Sequence, residues 1–256
     1  NGNGILAEEC DQIDITESTM SHNGNGINVD GDEYSIQESK SKIEDNIITY
    51  NTHNGISIGG GDNFLIKDNQ VERNGANGID LSYSHFNNIS SNTVRYNVVA
   101  GIYLDGSSNN TISGNTASYN TDFGIRLEDY SNENNITKNT LTSNYNSSAK
   151  YDFISTGLEI YESGNNFVSE NTIRNHDLAI NIKYSHKITI SKNVLEDDVY
   201  IMSATNITFS ENLVISPPMQ ANTNVFLYET SGSTFSKNTL NWVNFDINYY
   251  SDYNSF

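Results

Sequence analysis

Cysteine is almost absent from this chain: Cys10 stands alone among 256 residues. An intrachain disulfide is therefore excluded. A redox role is disfavoured as well, because Glu8, Glu9 and Asp11 surround the thiol with negative charge, the opposite of what activates it. Proline is nearly missing, with 2 residues, and tryptophan occurs once. Basic residues are scarce: 13 Lys+Arg stand against 32 Asp+Glu, for a net charge of −19. Without a basic stripe, counterion release has little to work with, and nucleic acid is excluded as a partner. The acidity instead suits a cation-rich or high-salt setting, or sites that take up Ca2+. No apolar run is long enough to span a membrane. No signal peptide stands at the start, so the numbering is expected to begin at a mature or trimmed end.

Apolar residues are also in short supply, at 35%, and 16 of them are Tyr. Low hydrophobicity with high charge is the signature of disorder. Here the apolar residues are strictly periodic, which a solvated coil does not need, so disorder is set aside. What the chain has in excess is asparagine, 41 residues of it.

The periodicity is a repeat. Gly101-Ile-Tyr-Leu and Gly124-Ile-Arg-Leu lie 23 residues apart, and the same phrase begins at Gly4, Gly26, Gly55, Gly78 and Gly157. Looser copies begin at Ala179, Val199, Val225 and Phe245. Apolar residues two apart point one way and the residue between them points the other, which is a half-buried strand. A second phrase ends each time on Asn: Asn46, Asn69, Asn92, Asn115, Asn139, Asn171, Asn193, Asn212 and Asn238. Five residues later another Asn recurs, at Asn51, Asn74, Asn97, Asn120 and Asn144. Each repeat thus holds three short strands with Asn at two corners.

Three such strands cannot close a core alone. Stacked on like neighbours they form a coil, strand on parallel strand, at roughly 4.8 Å per rung. Corner Asn side chains then hydrogen-bond up and down the stack, and Asn tolerates the left-handed backbone that such corners need. The expected fold is all-β, a single right-handed parallel β-helix (solenoid) of about ten or eleven coils over residues 1–256. The chain opens in mid-phrase at Asn1, so a fragment of a longer helix, or a first coil capped by another chain, is expected. Exposed strand edges at the helix ends would favour self-association.

The string NNTISGNTASYNTDFGIRLED resembles the β-helix repeats of the NosD-like family and of archaeal cell-surface proteins. NYYSDYNSF, from Asn248 to Phe256, is similar to the phrase that often closes such arrays. The resemblance implies the fold and an extracellular or cell-surface location, and is almost silent on function.

Chemistry is expected on the outward positions of the Gly-Ile-x-Leu strands. One column reads Asn28, Ser57, Asp80, Tyr103, Arg126, Glu159, Asn181; the other reads Asp30, Gly59, Ser82, Asp105, Glu128, Tyr161, Lys183. In carbohydrate-active β-helix enzymes the resembling face carries the substrate groove. Asp80, Tyr103, Asp105, Arg126, Glu128, Glu159 and Tyr161 are therefore the candidate carbohydrate-binding residues. Tyr would stack on sugar rings, Arg126 would fork a uronate carboxylate, and neighbouring acids would hold Ca2+ or raise one another's pKa. An insertion from Tyr145 to Thr156 is expected to rise as a wall beside this strip.

Specific catalytic motifs are missing. The epimerase-type Asp-Pro-His-Asp string is absent, and a polygalacturonase-like set lacks its Gly-His-Gly. His22, His53, His85, His176 and His186 show no metal-ligand spacing. There is no phosphate loop and no nucleophile elbow. Catalytic residues and metal ligands stay unassigned, and no cofactor is required. Asn-x-Ser/Thr sequons at Asn88, Asn109, Asn135, Asn146 and Asn206 are candidate glycan acceptors, four of them at similar phase just before the second strand. Three functions stay open. The first is a secreted or cell-surface structural module whose face contacts a polysaccharide or a neighbouring surface protein. The second is a lyase, epimerase or hydrolase of an acidic polysaccharide. The third is a filament or sheath subunit stacking end to end.

Overall fold

A computed structural model describes residues 2–10, 12–31, 41–144, 154–217, 223–248 and 251–256. Among these there is no helix, and so none that is long and apolar enough to cross a membrane. All strands pair in parallel and wind a solenoid of about ten turns with three faces.

The first face is built from the Gly-Ile-x-Leu phrases, including Ile79–Ser82, Ala100–Asp105, Phe123–Glu128 and Thr156–Tyr161. The second face holds ten strands of three residues, from Asp14–Thr16 to Thr234–Ser236, and the third runs from Thr19–Ser21 to Thr239–Asn241. Register follows the repeat: Ile79 pairs with Ile102, Ile102 with Ile125 and Ile125 with Leu158. On the second face Ile89, Ile112, Ile136, Val168 and Ile190 stack in the same way. These inward columns form one continuous core at or near zero exposure. A flat ribbon buries apolar surface on one side only, so the thin apolar content is enough.

The asparagines make the corners. Asn115 Nδ2 donates to Ile89 O at 2.8 Å in the preceding coil and to Asn139 Oδ1 at 3.0 Å in the next, while Asn115 N also donates to Asn139 Oδ1 at 2.9 Å. The same three bonds recur at Asn46, Asn69, Asn92, Asn139, Asn171, Asn193 and Asn212, and Asn238 receives the last rung. Asn51, Asn74, Asn97 and Asn120 repeat them at the next corner. Backbone groups that a tight turn would leave unpaired are thereby satisfied.

Two details differ from expectation. The left-handed residue is not the corner Asn but the one before it: Ser91, Gly114 and Lys138 have φ of 56°, 65° and 57°. The Asn backbone stays in the ladder, so its N–H can donate along the stack. A further ladder was not anticipated, Asn87 to Asn110 to Asn134 to Asn166, beside Ser84, Ser107 and Ser131.

The corner between the third and first faces changes midway. Asn144 Nδ2 meets His176 Nε2 at 3.0 Å, and His176 N donates to Asp197 Oδ2 at 2.8 Å. From here the two faces merge into single strands, Thr172–Lys183 and Val194–Met202, with register shifts between Arg174 and Ile180. The ladder loses its Asn and the sharp corner goes with it. His176 is thus a buried ladder residue.

Candidate functional site

The first-face columns are as expected. Asp80, Tyr103, Arg126, Glu159 and Asn181 occupy consecutive rungs, and Asp105 pairs with Glu128 beside them. Their surroundings are not those of a solvated strip. Asp80 is 8% exposed and Glu159 7%. Side chains of neighbouring rungs cover them, since outward groups stand only one rung apart.

Four of the seven candidate residues form one network. Arg126 Nη2 is ion-paired with Glu128, and Arg126 Nε lies 3.0 Å from Glu159 Oε1. The Tyr103 hydroxyl donates to Glu128 Oε1. Asn181 Nδ2 donates to Glu159 Oε2 at 2.7 Å. The guanidinium carbon sits 4.8 Å from the Phe123 ring centre and 5.8 Å from that of Tyr103. Arg126 is therefore held by two carboxylates and two rings, and is not the free anchor that its column position suggested. The Tyr103 ring is half-buried and has that guanidinium near one face.

Asp105 lies next to the network, its Oδ1 buried with no hydrogen-bond partner. Its carboxyl is pushed up, by burial first and then by Asp129, with Arg126 pulling the other way. Glu128 is pushed up to about 7, by burial first and then by the charges of Asp129, Glu159 and Glu162. Loss of hydration penalises the charged form and nearby carboxylates add to the penalty. The Arg126 ion pair and the Tyr103 hydroxyl act in the opposite direction and favour the ionised form.

Asp80 and Tyr161 stand apart. Asp80 accepts from Asn77 Nδ2 at 2.6 Å and Ser82 Oγ at 3.2 Å, and burial pushes its carboxyl up. These bonds tie it to its own turn. Tyr161 packs edge-on against Tyr184 at 5.5 Å, with its phenol pushed up first by a hydrogen bond to Glu162.

A cleft of about 310 Å³ opens beside the network and is lined by two of its members, Arg126 and Glu159. Arg126, Glu159, Asn181, Lys183 and Asp122 are its polar lining. Val99, Phe123 and Ile154 are its apolar lining. Asn181 and Lys183 belonged to the two columns, and their joining the site needed only the register to be followed further. Phe123 opens its strand and Val99 lies in the turn just before Ala100–Asp105, both ahead of the Gly-Ile-x-Leu phrase, where sequence periodicity carries no signal. Of the expected wall, residues 145–153 lie outside the described residues, and Ile154 contributes to the cleft. Among the described residues no group of three or more His, Cys, Asp or Glu side chains converges on a metal position. Among the sequons, Asn88, Asn109, Asn135 and Asn206 are exposed, and Asn146 lies outside the described residues. Their phases differ: Asn88 and Asn135 align with Thr111, whereas Asn109 and Asn206 stand two residues before Thr111 and Thr208 in left-handed turns.

These features define a right-handed parallel β-helix with a charged cleft on one face. The chain belongs to the family described as "Right handed beta helix region", which matches residues 3–155. Among solved structures, the periplasmic alginate epimerase AlgG is similar at a TM-score of 0.64 and 18% identity, over 92% of this chain and 59% of that one. The mannuronan C-5 epimerase AlgE4 A-module of Azotobacter vinelandii gives a TM-score of 0.54 and 11% identity, over 99% of this chain and 90% of that one. At these identities the likeness is one of fold. The chain spans about three fifths of the AlgG chain, with 59% covered. No curated protein matches the sequence.

Proposed function

We propose that this chain contacts an acidic polysaccharide across the Arg126 cleft, as a secreted or cell-surface β-helix module related to the NosD-like and archaeal surface proteins. The observation that carries the reading is the cleft itself: two cations, Arg126 and Lys183, line a concave site together with apolar Phe123 and Val99. Sugar rings offer one apolar face and a rim of hydroxyls, and a uronate adds a carboxylate that a guanidinium accepts in pairwise fashion. Arg126 is already paired with Glu128, so the polymer's carboxylate has to replace that partner. The Glu128 carboxyl, pushed up to about 7, can take a proton and release the guanidinium. Ca2+ bridging between polymer and cleft carboxylates is an auxiliary route.

Titration with uronate oligomers tests this. Arg126→Gln and Lys183→Ala are each expected to weaken binding about tenfold. Binding that is unchanged in both variants refutes the reading. Arg126→Ala is a poorer choice, because it leaves no side-chain donor where the guanidinium faced the buried Glu159 carboxylate, whereas Gln keeps an amide N–H.

A second reading, that the chain acts on the polymer as an epimerase or lyase, is favoured by one observation. Tyr103 and Glu128 form a hydrogen-bonded pair of ionisable groups next to Arg126 of the cleft, with the Glu128 carboxyl pushed up to about 7. Such a pair suits proton removal next to a carboxylate. Wild-type protein incubated with the oligomer in D2O then exchanges the proton at that carbon, and Glu128→Gln does not.

A further inference from the structure

We propose that the corner between the third and first faces carries a second binding strip, which continues the Arg126 cleft along the helix axis and takes the flanking residues of a long anionic polysaccharide. This rests on the acidic-polysaccharide reading of the cleft.

His22, Tyr50, Arg73, Tyr96 and Tyr119 take the same place on five successive coils, each just before its corner Asn. All five have left-handed backbones, with φ from 54° to 61°. A bulky side chain there costs about 1–2 kcal/mol. The equivalent positions one corner earlier are Glu17, Asp45, Asp68, Ser91 and Gly114, so the fold does not itself demand aromatics at such a turn.

The five side chains make one stack. The His22 and Tyr50 rings lie 5.6 Å apart at 14°. The Arg73 guanidinium sits 5.6 Å from the Tyr50 ring centre and 5.0 Å from that of Tyr96. Tyr96 and Tyr119 stack at 5.2 Å and 10°. Tyr50, Tyr96 and Tyr119 remain 50%, 41% and 52% exposed. Because ring faces are spent on one another, the stack turns its edges and the guanidinium outward. The matching partner is one read by hydroxyl and carboxylate contacts, not by ring stacking.

Charge points to an anion. Arg73 and Arg95 share one carboxylate, the buried Glu72, at 3.3 and 2.6 Å. Two guanidiniums less one carboxylate leave +1, in a chain whose net charge is −19. The stack also leads into the cleft: Val99 and Asp122, which line it, follow Tyr96 and Tyr119 by three residues each. Five coils give the strip a length of about 19 Å, four rises of roughly 4.8 Å. A chain seated in the cleft therefore has a charged, hydroxyl-bearing ridge along which to run toward the first coils.

The test compares tetrameric and dodecameric uronate oligomers on the described protein by titration calorimetry. Wild type is expected to bind the dodecamer at least tenfold more tightly than the tetramer, at about the level a second linked contact provides. Arg73→Gln and, separately, Tyr50→Ala should remove about tenfold of dodecamer affinity and leave the tetramer unchanged. Tyr50 is exposed and lies two coils from Val99, the nearest residue of the cleft, so it keeps the test valid if Arg73→Gln disturbs Glu72. Tetramer binding with no gain for the dodecamer, or variants that keep the gain, overturns the strip and leaves the cleft reading standing. No binding at either length overturns both. A drop in melting temperature with unchanged dodecamer affinity would make the stack a stabilising feature only.

Discussion

At the scale of single residues, the corner asparagines and the cleft arginine obey the same rule. A polar side chain between two rungs is held by what lies above and below it. Asn115 accepts two bonds from Asn92 and donates to Ile89 O and Asn139 Oδ1, all within a buried corner. Asn115→Ala removes the acceptor of Asn92 N and of one Asn92 Nδ2 hydrogen, and leaves these buried donors unpaired in the interior. The expected cost is about 1–3 kcal/mol per stranded group, read as a lower denaturant midpoint with unchanged slope. A midpoint equal to that of the wild type would mean that the ladder is decoration. Arg126 shows why a sequence column does not reveal a site. Its rung was legible from the 23-residue spacing between Gly101 and Gly124. Its pairing with Glu128 within its own strand and Glu159 on the next was not, because periodicity sets which residues are adjacent and rotamers decide which of them meet.

At the scale of the strand and its corner, the repeat specifies almost everything. Apolar alternation, turn residues and ladder asparagines all agree, which is the consistency that makes a fold readable in a sequence. The three faces, their parallel register and both Asn ladders were legible for that reason. The left-handed position was misplaced by one residue, because Asn is the usual suspect for such backbones and the preceding residue varies freely: Ser91, Gly114, Lys138, Glu170. The merging of faces after Thr172 was hidden too, since it depends on His176 and Asp197 taking ladder places by hydrogen bonding alone. The variable corner offers a direct check. Ser91 has φ 56°, is exposed, and precedes Gly114 on the next coil, where glycine has φ 65°. Ser91→Gly relieves a left-handed cost of about 1–2 kcal/mol and forfeits about 0.5–1 kcal/mol of backbone entropy. The net expectation is a gain of roughly 0.5 kcal/mol, seen as a slightly higher melting temperature. A clear loss would show that the Ser91 side chain contributes more to its corner than the backbone strain takes away.

At the scale of the whole molecule, stability is a sum over coils, because each coil touches only its neighbours. The stretch from Gly55 to Gly124 is three repeats of 23 residues, so one repeat can be removed without disturbing the phase of any column. Deleting residues 56–78 joins Gly55 to Ile79 and brings Asn46 against Asn92 and Asn51 against Asn97. On the first face Val29 then meets Leu81, both inward and buried. The Arg126 cleft, whose lining begins at Val99, is untouched, while Arg73 is lost and the outer stack is cut. The shortened chain is expected to unfold in one transition with a denaturant slope lower by about a tenth, since the slope follows the surface exposed and one coil of about ten is gone. Tetrameric uronate should bind as before, and the extra affinity of the dodecamer should fall. If the shortened chain fails to fold, its coils are not interchangeable units, and stability must reside in particular coils such as the one where Asn144, His176 and Asp197 end the ladder.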